Sequence, residues 1–137
     1  MTQLWIQGSA EFSPCERFRY TLSRAMNPDA IDPGLGNAGR TIAVVGLNPS
    51  TATATTDDPT VRRCIGYAAR EGFGRFVMLN AFGYRATDPR DMKAQADPVG
   101  PGNDAAIERV ARRADLVVLA WGAHAVHLRR HDAVLAL

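Results

Sequence analysis

The ten residues Thr41-Ile42-Ala43-Val44-Val45-Gly46-Leu47-Asn48-Pro49-Ser50 decide the fold class. Residues 42–45 are continuously apolar and run directly into Gly46, the pattern of a parallel strand covered on both faces. The turn that follows combines a glycine that allows close approach, a proline that stiffens the chain, and the hydrogen-bonding side chains of Asn48 and Ser50. Such a turn can hold a water, a sugar or a phosphate, or it can simply cap itself, with Asn48 closing a turn and Ser50 starting a short helix.

The same unit recurs downstream. Residues 76–79, Phe-Val-Met-Leu, predict a second buried strand ending at Asn80, and residues 116–120, Leu-Val-Val-Leu-Ala, predict a third before Trp121-Gly122. Between the strands lie helix signals. Asp57-Asp58-Pro59 starts a helix, because an Asp side chain accepts the free first-turn amides and proline is tolerated at the first helical position. Val61, Ile65 and Ala68 then share one face, and Gly72 stops the helix. Asp88-Pro89 is a second start, residues 103–113 a further helix with Ile107 and Val110 inward, and a last helix after Gly122 carries Val126, Leu128, Val134 and Leu135. The expectation is an α/β three-layer sandwich with a mostly parallel central sheet and right-handed crossovers.

Upstream, residues 17–22 alternate polar and apolar, which predicts a half-exposed strand showing Phe18, Tyr20 and Leu22 to the core. Paired with residues 4–6, it forms a peripheral antiparallel element. The breaker-rich stretch 27–40 reads as a surface loop. The whole chain, 1–137, is thus expected to be one domain, with peripheral strands and a loop in 1–40 and the parallel core in 41–137.

Composition narrows the class. With 46% hydrophobic and 22% charged residues the balance is globular rather than disordered or fibrous. The formal charge of +2 is carried almost wholly by arginine, Lys93 being the sole lysine, which is compatible with phosphate-bearing partners. Cys15 and Cys64 form neither a disulfide framework nor a thiolate cluster, and no apolar run approaches a membrane span. A reducing, cytoplasmic setting with no membrane contact is expected.

In parallel sheets ligands bind outside the carboxyl ends of the strands. That rule selects three loops on one sheet edge: 46–50, 80–85 and 121–124. Asn80 ends a strand with an amide able to pair with a donor and an acceptor together, as on a nucleobase edge, or to satisfy local backbone groups. One of Asp57 and Asp58 suffices as a helix cap, leaving the other as a general base or substrate contact. Arg62 and Arg63 sit in the first helical turns, where anions are favoured, and are candidates for phosphate or for a solvated face. Trp121 and Gly122 follow the third strand, with His124 as acid, base or donor. His124, His127 and His131 lack a fitting carboxylate or thiolate, so neither a metal nor a cofactor is expected.

The stretches GLNPSTA (46–52), DDPTVRRCIGYA (57–68), LNAFGYRATDP (79–89), ADPVGPGND (96–104) and VVLAWGAHA (117–125) resemble a bacterial and phage family, domain of unknown function sixteen-forty-three, over nearly the whole chain. The family's motifs in turn resemble, more distantly, those of the uracil-DNA glycosylase superfamily at the three strand-end loops. That resemblance implies that Asn48 stands where the attacking water is positioned, as in the mismatch-specific branch whose loop also reads Gly-x-Asn-Pro. It implies that Asn80 reads the uracil edge, and that residues 119–122 close the third strand.

A binding surface of Gly46, Leu47, Pro49, Ser50, Asn80, Phe82, Arg85, Trp121 and Gly122 follows, with Asn48, Asp58 and His124 as catalytic candidates and Arg62 and Arg63 as phosphate-binding ones. The implied chemistry is hydrolysis of an N-glycosidic bond on a base taken out of the stack. These glycosylases carry a fourth strand and a His-Pro loop, which this sequence lacks before Leu137. The chain is therefore expected to be C-terminally short, with an open third-strand edge suited to a second copy and with impaired catalysis. The alternatives are a non-catalytic nucleotide or single-stranded nucleic-acid binding module using Arg62, Arg63 and Arg85, and a small-molecule hydrolase using Asp57 or Asp58 with His124.

Overall fold

A computed structural model describes residues 3–26 and 39–137. Its strands are β1 (Gln7–Phe12), β2 (Arg19–Ala25), β3 (Thr41–Gly46), β4 (Arg75–Asn80) and β5 (Leu116–Leu119). The α-helices are α1 (Pro59–Arg70), α2 (Pro89–Lys93), α3 (Asn103–Arg113) and α4 (Arg130–Leu135), and a kinked 3-10 segment, Ala123–Arg129, precedes α4. Most of the expected loop at 27–40 lies outside the described residues.

The five strands form one sheet in the order β1-β2-β4-β3-β5. Its central strands β3 and β4 are buried on both faces. Ile42, Val44, Phe76 and Met78 face a cluster completed by Val61, Ile65 and Ala68 of α1, whereas Ala43, Val45, Val77 and Leu79 face Met92 of α2, Ile107 of α3 and Val134 of α4. Successive strand side chains point to opposite faces, so each strand serves both layers.

The α1 start is as expected. Asp58 caps the helix, its Oδ1 accepting the Val61 amide at 2.9 Å, and Pro59 occupies the first turn. Gly72, at φ +84, ends it in the left-handed conformation that glycine adopts without penalty. Helices α2, opened by Asp88-Pro89, and α3 also begin where the sequence places them.

Four expectations are corrected. The sheet is mixed rather than mostly parallel: β3 pairs parallel with β4 and β5, but β2 pairs antiparallel with both β1 and β4. Nor is β2 peripheral. Only β1 is at that edge, while Leu4 and Ile6, expected in a strand, are exposed. Leu22 is buried as expected, yet Arg19 and Arg24 are buried on the same face, opposite Phe12 and Gly8 of β1, because they reach backbone carbonyls of the connection before α1. Finally, β5 is not a covered strand. It has one neighbour, and Leu116 and Leu119 are exposed, as are Val126, Leu128 and Leu135 beyond it. The chain kinks at Leu128 and Arg129, both at positive φ, so the last segment does not form one continuous helix.

Candidate functional site

The carboxyl ends of β3, β4 and β5 meet because the three strands are parallel, with Gly46 level with Asn80 and Val45 level with Leu119. Above them lies a cavity of about 240 Å³, bounded by the 46–50 loop, Asn80, Ala120, the start of α1 and Arg19 of β2.

Asn80 is 1% exposed, and neither its Nδ2 nor its Oδ1 has a hydrogen-bond partner. A buried amide with both ends unmet costs stability, on the order of 1–3 kcal/mol. The residue is held from behind: Asn103, at the start of α3, donates through Nδ2 to the Asn80 carbonyl at 2.9 Å and to the Ala81 carbonyl at 3.2 Å. Its main chain is therefore fixed while its side chain is left open to the cavity wall.

Asn48 is oriented differently. Its Nδ2 donates to the carbonyls of Ala86 at 2.7 Å, Pro49 at 3.2 Å and Tyr84 at 3.4 Å. Carbonyls only accept, so the NH2 group must face them and Oδ1 is left as the free acceptor. Ser50 bonds Thr87 through their hydroxyls at 3.1 Å, tying the same loop to the chain beyond β4.

Asp58 lines the cavity and is 7% exposed. Besides capping α1, it accepts the Ala52 amide through Oδ2 at 3.3 Å. Each oxygen has one backbone partner and retains a further lone pair. Asp57, by contrast, is committed to structure, accepting from Arg24 Nε at 3.0 Å and Trp5 Nε1 at 2.8 Å.

Gly46 leaves no room for a side chain, since a Cβ there would lie 2.5 Å from Met78 Cε and 3.1 Å from Asn80 Oδ1. The flexible Met78 terminus can yield, so the pressure falls on the Asn80 amide. Gly46→Ala is expected to cost about 1–3 kcal/mol of stability and to weaken ligand binding by displacing Asn80, measurable by chemical denaturation alongside ligand titration.

Other candidates stand apart. His124 is exposed and its Nδ1 bonds Lys93 Nζ at 2.8 Å, away from the cavity. Arg62 and Arg63 are exposed on α1 and line a separate cavity of about 720 Å³ beside Trp5 and Asp57. Arg85 donates to the Glu16 carbonyl at 3.0 Å and stacks on Phe12. Phe82 is fully buried in the core facing α2 and α3, with Trp121 packed at its margin, and Gly122 is exposed.

Sequence reasoning missed Arg19, Thr60, Cys64, Met78 and Ala120. Burial and the nearby Asp58 charge raise the Cys64 thiol pKa, so it stays protonated and is not an activated nucleophile. Arg19 was hidden by its place among the polar positions of an alternating strand.

No curated protein and no solved structure matches the chain. A family model does, over the span that runs from β2 to the C-terminus and includes every residue lining the 240 Å³ cavity. By that match across residues 19–137, the chain belongs to the family described as Protein of unknown function (DUF1643).

Proposed function

We propose that the cavity reads the edge of a nucleobase and that the protein acts as a nucleobase N-glycosylase on DNA or nucleotides. The observation that carries this is the Asn80 amide, buried, unpartnered and rigidly backed: one donor and one acceptor side by side match a pyrimidine or purine edge that offers the reverse pair. A cavity of about 240 Å³ has room for a single flipped base and a water. The distant likeness of the strand-end loops to uracil-DNA glycosylases supports the same assignment.

In the hydrolytic step a water held by Asn48 Oδ1 adds to the sugar carbon as the carbon–nitrogen bond breaks. The base leaves with the electron pair, and the water's proton passes to Asp58, which keeps a lone pair on each oxygen. Asn48 orients but, being neutral, does not deprotonate. Incubating the protein with DNA containing uracil, hypoxanthine or a thymine mismatch is expected to yield abasic sites. A result with no abasic sites and no detectable base binding would remove the proposal.

Binding without turnover is the second reading, favoured by the backbone amides already held by Asp58 and by the position of His124 outside the cavity. Base affinity equal in the wild type and Asp58→Asn, with no abasic product from either, would select it.

The open β5 edge is proposed to pair with a second copy. Leu119→Lys is then expected to shift a dimer towards monomer in light scattering, whereas a monomeric wild type would dismiss this interface.

A further inference from the structure

Three arginines are buried among the described residues, and two have carboxylates. Arg24 is paired with Asp57 at 3.0 Å, and Arg130 with Asp104, with further support from the Ala81 carbonyl. Arg19, at 1% exposure, has only the Ala52 carbonyl, which accepts from Nη1 at 3.1 Å. Its Nε has no partner, and the guanidinium lines the 240 Å³ cavity with no carboxylate in salt-bridge contact, although Asp58 lines the same cavity.

A guanidinium taken out of water without a carboxylate in direct contact is costly, since buried charges are normally paired, and an arriving anion would supply the missing contact. Burial pushes the Arg19 pKa down to about 10, a fall only partly offset by the charge of Asp58. The group is still a cation at neutral pH, with its planar donor fork suited to an anionic partner.

We propose that Arg19 is the anion receptor of this cavity, taking the negative charge of an ionised nucleobase or of a phosphate. This rests on the cavity being the ligand site proposed above, and deepens it by assigning the ligand a charge. In hydrolysis the departing base carries the bonding electron pair, and a fixed cation beside it lowers the barrier in the manner of other preorganised electrostatic sites.

The test is calorimetric titration at pH 7 with three probes: uracil, which is neutral; barbiturate, a similarly shaped pyrimidine that is anionic; and inorganic phosphate. Barbiturate or phosphate is expected to bind the wild type at least about tenfold more tightly than uracil. Arg19→Met is expected to erase that advantage while leaving uracil affinity within about threefold, and Arg19→Lys to restore part of it. Barbiturate as the preferred probe identifies the base as the source of charge; phosphate identifies a nucleotide or backbone group.

Anions no tighter than uracil in the wild type overturn the receptor, a comparison that needs no variant to fold. So does binding of no probe at all. Uracil held equally by the wild type and Arg19→Met, without any anion preference, sinks the receptor but leaves nucleobase reading intact. Phosphate bound through Arg19 with no uracil or barbiturate binding does the reverse.

Discussion

Asn80→Leu is expected to make the free protein more stable and unable to hold its ligand. Leucine has nearly the outline of asparagine but no polar atoms, so it removes a buried donor and a buried acceptor that the free protein leaves unmet. The gain is about 1–3 kcal/mol, read as a higher melting temperature. The loss is in recognition. A base entering the cavity would find neither partner, and two forfeited hydrogen bonds of about 1.5 kcal/mol each weaken binding about 100-fold. Opposite signs in the two measurements are the signature of a functional residue held at a structural cost. A fall in melting temperature with unchanged uracil affinity would show instead that the amide serves the fold.

Arg24→Met is expected to have the largest effect on stability, a loss of about 3–5 kcal/mol. Arg24 is fully buried and stacks on Trp5 at 4.4 Å. It donates to the carbonyls of Thr53 at 2.6 Å, Thr56 at 3.0 Å and Ala54 at 3.2 Å, and it pairs with Asp57. Methionine preserves much of the apolar stem but abandons these carbonyls and strands the Asp57 carboxylate, which is only 15% exposed. Set against a typical total of about 5–15 kcal/mol, the loss takes a large share of the folding free energy. Because Asp58 follows directly, the cavity wall is expected to loosen as well. A denaturation midpoint shifted by less than 1 kcal/mol equivalent would refute the staple.

Much of the framework was legible because it is local. The apolar run 42–45, the Asp58-Pro59 helix start and the 103–113 helix follow from residues within a few positions of one another. So does the grouping of the 46–50 loop with Asn80, since parallel strands must end on the same edge. Alternation in 17–22 pointed correctly to Leu22 but sent Arg19 to solvent, because the register shift that skips Tyr20 brings Arg19 onto the Leu22 face. His124 was assigned by its place after the third strand and Arg62 and Arg63 by the anion-favouring start of α1, yet none of the three lines the 240 Å³ cavity.

The sequence by itself determined the α/β class, the order of most elements and the loop that frames the cavity, through periodicity, capping and turn chemistry. Only the tertiary structure decided that β2 enters the sheet beside β4, that β5 is left half uncovered, and that Arg19 reaches the cavity. The reason is one of range: whether an arginine is buried depends on carbonyls and carboxylates about thirty residues away, such as Ala52 for Arg19 and Asp57 for Arg24. No local pattern carries that information, because the hydrogen bonds that stabilise such a charge exist only once the chain has folded.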